Sequence, residues 1–285
     1  MQLCKLRSDN GATRVGFIRD GQVNLLNFSQ GAGPLCLSDV LHARDPVPLL
    51  ESLIDQGRTT FPIQYRDLLA PIDRQEVWAA GVTYKRSKLA REQESKGAAA
   101  FYDKVYEAPR PELFFKATAD RVVGTCANVR VRKDSAWSVP EPELAVYVAP
   151  DLRIVGFSIG NDMSSRDIEG ENPLYLPQAK IYNQSCALGP VVTLAAAMPP
   201  RDQLRIDMRV DRGDRKVFEG ATRLTEMART LESLVEWLGR ENSFPNGAIL
   251  LTGTGVVPPD NFTLASGDRI TIEITGVGKL TNTVA

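Results

Sequence analysis

The chain has 285 residues, of which 43% are apolar and 24% are charged, and its formal net charge is −1. These values are typical of a globular protein of one or two domains, and the near-neutral charge without a long basic run argues against nucleic-acid or membrane-surface partners. No apolar stretch approaches the roughly 20 residues that a membrane-spanning helix needs, and the N-terminal segment lacks the apolar core of a secretory signal.

Residues 1–75 are predicted to form a small N-terminal α+β domain. Three short strand patterns come first, separated by turn residues such as Asp-Gly: Gln2–Leu6, Arg14–Ile18 and Val23–Leu26. Helical patterns follow between Ser38 and Ile54, where two prolines interrupt them. Pro71 and Asp73 then indicate a linker, so the pattern predicts a second domain over residues 76–285.

The second domain has many strand patterns and few helical ones, which predicts a mostly β structure with some α (α+β). A charged helix is expected over Lys88–Tyr106, and a hairpin around the turn Arg212-Gly213-Asp214. The apolar spacing from Met227 to Leu238 predicts the clearest helix. Three further strands are predicted: Val77–Val82, Gly247–Gly255 and Ile270–Ile274.

The four cysteines are widely spaced and form no paired motif: Cys4, Cys36, Cys126 and Cys186. We therefore expect free thiols in a reducing, cytoplasmic compartment. The same spacing argues against a cysteine-bound metal.

The segment Glu141-Pro142-Glu143 places two carboxylates at i and i+2, and in a strand that spacing puts both side chains on one face. A third carboxylate, Asp162, follows on the next predicted element. Three hard oxygen ligands without a neighbouring His or Cys favour Mg²⁺, with Mn²⁺ or Ca²⁺ as alternatives. Such an ion polarises carbonyl groups, which indicates enolate chemistry on a keto acid.

Each candidate site also has an ordinary structural explanation. Two glutamates at i and i+2 are usual on the solvent face of a half-buried strand, and an arginine such as Arg166 is an alternative partner for them. Glu112 matches a rim charge at the start of a strand, and Lys180 matches a solvated surface lysine. The polar cluster that contains Ser164 is typical of a turn that caps the next element.

Taken together, the motifs resemble the fumarylacetoacetate hydrolase family over about residues 75–285. They occur in the order Arg-Pro-Glu-Leu-Phe-Phe-Lys, Glu-Pro-Glu-Leu-Ala, Gly-Asn-Asp-Met-Ser-Ser-Arg-Asp, Lys180, Leu-Gly-Pro and Thr-Gly-Thr-Gly. The resemblance implies a rolled mixed β-structure and a homodimer or homotetramer. It also implies these site residues: the metal ligands Glu141, Glu143 and Asp162, the catalytic Lys180, and the carboxylate-binding Gly253 and Thr254.

One position departs from the family pattern. Hydrolases and decarboxylases of the family have a histidine at the end of a Gly-x-Asn-Tyr-x-x-His segment, and here Ser87 takes that place. The only histidine of the chain, His42, lies in the predicted N-terminal domain, where we expect a structural role. Hydrolytic cleavage needs a base that activates water, so the substitution argues against hydrolysis.

The run from Gly160 to Lys180 is similar to the 2-keto-3-deoxy-D-arabinonate dehydratase branch of the family, as are the short spacing between Glu143 and Asp162 and the presence of Glu112. The similarity implies dehydration of a 2-keto-3-deoxy pentonate to 2,5-dioxopentanoate in sugar-acid catabolism. Lys180 and Glu112 are then the candidates for acid and base, with the assignment between them open.

Ser164 and Arg166 are further candidates for substrate binding. Two alternative functions stay open from the sequence. One is an acylpyruvate hydrolase or oxaloacetate decarboxylase of the same family. The other is a catalytically silent protein that binds a metal and a keto acid.

Overall fold

The computed structural model describes residues 1–8, 11–28, 36–54, 60–85 and 104–285. In these ranges the α-helices α1 to α5 are Leu37–His42, Pro46–Leu53, Arg166–Glu171, Leu176–Lys180 and Leu231–Leu238. The strands β1 to β19 are Gln2–Arg7, Thr13–Arg19, Gln22–Leu25, Phe61–Pro62, Leu68–Leu69, Glu76–Gly81, Glu112–Ala117, Val122–Val123, Asn128–Val129, Ser138–Val139, Pro142–Val148, Ile154–Asp162, Ser164–Ser165, Cys186–Leu194, Arg205–Arg212, Arg215–Arg223, Ala248–Leu251, Arg269–Ile274 and Gly278–Val284.

A large mixed sheet carries the site. Its main path runs β4-β3-β2-β1-β14-β12-β11-β17-β6-β7, and most neighbouring strands are antiparallel, whereas β17 and β6 run parallel. The central strands β11 and β12 are almost entirely buried, and their Val- and Ile-rich sequences suit a sheet covered on both faces. A second, five-stranded sheet has the order β16-β15-β18-β19-β9. The predicted mostly β architecture with some α is confirmed.

The large sheet separates two hydrophobic cores, because alternate residues of each strand point to opposite faces. On β11, Leu144 and Val146 belong to the core that includes the buried residues of the five-stranded sheet. Ala145 and Tyr147 belong to the other core, together with buried residues of helices α1 and α2. Glu143 is in phase with Ala145 and Tyr147 along β11, so its side chain points to the same face of the sheet as theirs.

The N-terminal strand patterns are confirmed as β1, β2 and β3. These strands continue the large sheet, because Gln2 and Leu3 of β1 pair with Thr193 and Val192 of β14. The N-terminal strands thus share a sheet with strands of the second predicted domain. The domain boundary between residues 75 and 76 stays a prediction. The four cysteines are free, as expected.

The hairpin around Gly213 is confirmed, with a φ of +57° at that glycine, a value that favours glycine over residues with a Cβ. The last predicted helix begins later than its apolar spacing indicates. Thr230 accepts a hydrogen bond from the Ser233 amide and caps α5, so Met227 lies before the helix and bridges to Tyr84 instead. Helices α3 and α4 lie within a stretch where mainly strands are predicted. Most of the predicted helix Lys88–Tyr106 lies outside the described residues.

Among the helices of the described residues, none is both long and apolar enough to cross a membrane.

Candidate metal centre and active site

Three carboxylates converge where β11 and β12 lie side by side. Glu141 immediately precedes β11, Glu143 is its second residue, and Asp162 ends β12. The Asp162 amide donates to the Glu141 carbonyl at 2.9 Å, which sets the two residues opposite each other. Each side chain offers one oxygen, and these oxygens lie within 4.8 Å of one another. The geometry brings together the carboxylates that the i, i+2 spacing and the following element predict.

Each carboxylate is oriented by a fixed donor. The Arg166 guanidinium lies 2.8 Å from Glu141 Oε1, and the Gly253 amide donates to Glu143 Oε2 at 2.6 Å. The Lys116 ammonium lies 2.5 Å from Asp162 Oδ1. Supporting groups of this kind orient the carboxylates of a metal site. The second oxygens of Glu141 and Asp162 contact the Lys180 ammonium.

The donor set fits a hard divalent cation. The three carboxylates are at most 3% exposed. Burial, followed by the negative charges of Asp162 and Glu141, raises the pKa of Glu143 well above its usual value. A divalent ion offsets such repulsion, and two oxygens on opposite sides of one ion are about 4.2 Å apart for Mg²⁺ and about 5 Å for Ca²⁺. The carboxylate spacing is therefore compatible with a single ion.

Lys180 ends the short helix α4, is 2% exposed and lines the pocket, so it is not a solvated surface lysine. Its ammonium lies 2.6 Å from Glu141 Oε2, 3.1 Å from Asp162 Oδ2 and 2.6 Å from Ser164 Oγ. The Phe114 ring lies on another side, with its centroid 5.6 Å from the ammonium. Lys180 is thus held beside the carboxylate cluster by three oxygens and an aromatic face.

Glu112 begins β7 and pairs with Gly81 at the end of β6. A Cβ at Gly81 would lie 1.9 Å from Glu112 Oε2, so the glycine makes room for the carboxylate. Strand β7 belongs to the same large sheet as β11 and β12, and Glu112 lines the pocket with the three carboxylates.

The Gly-rich turn after β17 supplies backbone and hydroxyl groups. Gly253 has a φ of +87°, and a Cβ there would lie 2.1 Å from Thr83 Oγ1, so both conformation and space favour glycine. Its amide already binds Glu143, which makes it a support for that carboxylate in this structure. The Thr254 hydroxyl accepts from the Val256 amide at 3.1 Å.

These groups line one pocket. The pocket includes seven residues predicted from the sequence: Glu112, Glu141, Glu143, Asp162, Lys180, Gly253 and Thr254. The predicted substrate-binding residues Ser164 and Arg166 are instead seen behind this lining, where they contact Lys180 and Glu141. Their suggested role in substrate binding stays a prediction.

Two buried charged residues lie within the quoted motifs but were given no role in the site: Lys116 and Glu169. Lys116 follows the apolar pair Phe114-Phe115, and its partner Asp162 is distant in sequence, so no local pattern identifies it. Glu169 lies in a polar stretch without a clear apolar period, yet it is 5% exposed and lines the pocket. The one available sign of a buried charge was a charged residue within an apolar strand pattern. That sign applies to Lys116 but does not identify its partner, and it does not apply to Glu169.

Ser87 lies outside the described residues, so its comparison with the family histidine stays a prediction. His42 ends α1, and its carbonyl accepts from Arg153 at 2.8 Å. Its ring is close to Gly247. The carboxylate cluster found among the described residues does not include His42.

Replacing Lys116 with methionine is expected to destabilise the metal-free protein by about 3–5 kcal/mol, because it leaves the buried Asp162 charge without its nearest partner. Denaturant unfolding after treatment with a chelator measures the change. Lys279→Met is the control, since it breaks an exposed ion pair with Glu273 and should cost at most about 1 kcal/mol. Equal stability losses in the two variants would contradict the structural role of Lys116.

Comparisons with known proteins identify the family of this chain. The sequence model of the fumarylacetoacetate (FAA) hydrolase C-terminal family matches residues 76–285. The probable 2-keto-3-deoxyxylonate dehydratase of Haloferax volcanii is 46% identical over 219 residues, which cover 77% of this chain and 75% of the relative. The 2-dehydro-3-deoxy-D-arabinonate dehydratase of Saccharolobus solfataricus is 42% identical over 227 residues, which cover 78% of this chain and 75% of the relative.

A solved structure extends the similarity to the whole chain. It is 2-keto-3-deoxy-D-arabinonate dehydratase complexed with magnesium and 2,5-dioxopentanoate, with a TM-score of 0.84 and 34% identity. The match covers 100% of this chain and 98% of that protein. Family model, relatives and fold agree with the motifs that surround the carboxylate cluster, and we conclude that the chain belongs to the fumarylacetoacetate hydrolase family.

Proposed function

We propose that this protein is a Mg²⁺-dependent dehydratase that converts a 2-keto-3-deoxy pentonate to 2,5-dioxopentanoate. The observation that carries the proposal is the buried cluster of Glu141, Glu143 and Asp162 with the Lys180 ammonium 2.6 Å from Glu141. The two dehydratase relatives and the magnesium- and product-bound structure support the substrate class.

Glu141, Glu143 and Asp162 would hold the ion. When bound, the ion polarises the C2 ketone of the substrate and lowers the pKa of the C3 protons. Side chains of the protein must bind the substrate and transfer protons at C3 and at the C4 hydroxyl.

Lys180 and Glu112 are the groups placed for this proton transfer. One of them removes a proton from C3, and the electron pair of that C–H bond forms an enolate with C2. The enolate then expels the C4 hydroxyl, which leaves as water after it receives a proton from the acid. Lys180 lies at the end of α4 beside the carboxylate cluster and Glu112 at the start of β7, so the two would reach the substrate from different elements.

The substrate carboxylate is assigned to the turn at Gly253 and Thr254. The Gly253 amide contacts Glu143, so its contribution is indirect, through the position of that ligand. The Thr254 hydroxyl accepts from the Val256 amide at 3.1 Å and donates to the Val256 carbonyl at 3.3 Å, and Thr254 lines the pocket. Because the Gly253 amide is bound to Glu143, we assign direct contact with the substrate to Thr254, whose hydroxyl would turn its proton from the Val256 carbonyl to the ligand.

The test is product analysis by NMR after incubation with 2-keto-3-deoxy-D-arabinonate and 2-keto-3-deoxy-D-xylonate. The account expects 2,5-dioxopentanoate with Mg²⁺, loss of turnover after chelation, and recovery when Mg²⁺ is restored. Binding of the substrate without turnover would favour the catalytically silent alternative. We also expect a cytoplasmic homodimer or homotetramer, which light scattering and fractionation measure.

Replacing Gly81 with alanine is expected to lower turnover by about 10²-fold, because the added Cβ displaces the Glu112 carboxylate. The fold should persist, since the atom in the way is the end of a flexible side chain. Steady-state kinetics of Gly81→Ala, Glu112→Gln and the double variant measure the effect. The double variant should lose no more than Glu112→Gln alone, and additive losses would show that Gly81 does not act through Glu112.

A further inference from the structure

Glu169 is a buried carboxylate of the pocket that the proposed mechanism does not use. It lies on α3, where Arg166 and Glu169 are the buried residues. Positions i and i+3 share one face of a helix, so both side chains point toward the site. Glu169 lines the pocket together with Glu112 and Lys180.

Contacts on two sides hold helix α3 in place, and they thereby hold Glu169 at the pocket. On the site face, Arg166 binds Glu141 at 2.8 Å. On the other side, the Asp167 carboxylate accepts from Ser135 Oγ and from the Ala136 amide, both at 2.6 Å. One helical turn, roughly 5–6 Å between Cβ atoms, separates Glu169 from the residue that contacts a metal ligand. Glu169 thus lines the pocket about one helical turn away from Arg166, which contacts the metal ligand Glu141.

The chemistry requires a proton acceptor for C5 in addition to the groups that act at C3 and at the C4 hydroxyl. Loss of water from C3 and C4 gives 5-hydroxy-2-oxopent-3-enoate, which is an isomer of 2,5-dioxopentanoate. Conversion of one to the other removes a proton from C5 and adds a proton at C3. Lys180 is tied to the metal end by Glu141 and Asp162, and C5 is three bonds beyond the chelated C2. Among the described lining residues, Glu112 and Glu169 are the carboxylates outside the cluster.

We propose that Glu169 is a catalytic residue that removes the C5 proton in the second stage of the reaction. The C5–H electron pair forms the C4=C5 bond, and the C3=C4 pair takes a proton at C3. The product is an enol at C5, which tautomerises to the aldehyde with no oxidant or reductant. This inference rests on the proposed dehydratase function and adds a second stage with its own residue.

The experiment compares Glu169→Gln with the unmodified protein on a 2-keto-3-deoxy pentonate and, separately, on synthetic 5-hydroxy-2-oxopent-3-enoate. In the variant, we expect the enone to accumulate, seen by its ultraviolet absorbance and vinyl proton signals. Its conversion to 2,5-dioxopentanoate should slow by about 10²–10⁴-fold, while water loss slows far less. The matched control is Glu171→Gln on the exposed side of the same helix, which should leave both stages unchanged.

Equal slowing of both stages without enone, or unchanged formation of 2,5-dioxopentanoate from enone, would overturn the role of Glu169 and leave the proposed function intact. If the unmodified protein dehydrates no 2-keto-3-deoxy pentonate, the proposed function is wrong, and the role of Glu169 that rests on it is wrong too. Should Glu169→Gln not fold, Glu169→Asp carries the same test, because it keeps the charge and withdraws the carboxylate by one methylene.

Discussion

Replacing Lys180 with alanine lowers turnover by about 10²–10⁴-fold if the ammonium is the general acid or base of the reaction. The reason is its position: Lys180 is buried and lies within 3.1 Å of Glu141, Asp162 and Ser164. Steady-state kinetics at saturating Mg²⁺ measure the loss. We expect the effect mainly on kcat, because proton transfer is a transition-state contribution.

Lys180→Arg separates proton transfer from charge compensation. Arginine keeps a positive charge near Glu141 and Asp162 but does not deprotonate in proteins. It should therefore recover stability relative to Lys180→Ala without recovering turnover. Lys279→Ala, at an exposed ion pair with Glu273, controls for general effects of losing a lysine. Turnover close to that of the unmodified protein in Lys180→Ala would remove this residue from the mechanism.

Replacing Glu143 with glutamine should change metal binding and metal-free stability in opposite directions. The pKa of Glu143 is raised by burial and by the charges of Asp162 and Glu141, so its charged form is repelled in the metal-free protein. A neutral side chain of the same shape relieves that repulsion and still accepts from the Gly253 amide. The melting temperature after chelation should thus equal or exceed that of the unmodified protein.

The same variant should bind Mg²⁺ at least about 10²-fold more weakly, because loss of a ligand costs more than loss of a group that merely orients one. Most activity disappears with the ion. Calorimetric titration and thermal unfolding with and without Mg²⁺ measure both effects. Glu273→Gln, at an exposed carboxylate, is the control. An unchanged rise in melting temperature on addition of Mg²⁺ would show that Glu143 is not a ligand.

The carboxylate cluster was predictable because strand geometry is local. Residues at i and i+2 of an extended chain share a face, so Glu141, immediately before β11, and Glu143, within it, were expected to lie together. Asp162 follows because the next strand pairs antiparallel and ends opposite Glu141. The residue types then indicated the metal class.

Residues supplied by helices and by distant strands were harder to predict. Lys180 and Glu112 came from family motifs, since a single charged residue has no periodicity of its own. Lys116 was missed because its ion pair with Asp162 forms only after the chain folds. Glu169 was missed because α3 follows a polar cluster that is typical of a turn, and tertiary contacts through Arg166 and Asp167 fix the helix there.

The central claim is that the pocket removes water from a 2-keto-3-deoxy pentonate and does not hydrolyse a carbon–carbon bond. The most direct measurement compares kcat/KM for a 2-keto-3-deoxy pentonate, an acylpyruvate and oxaloacetate with one Mg²⁺-loaded preparation, with every product identified by NMR. The account predicts formation of 2,5-dioxopentanoate from the pentonate, with no comparable cleavage of acylpyruvate or decarboxylation of oxaloacetate. Rapid acylpyruvate cleavage without dehydration of any 2-keto-3-deoxy sugar acid would contradict it.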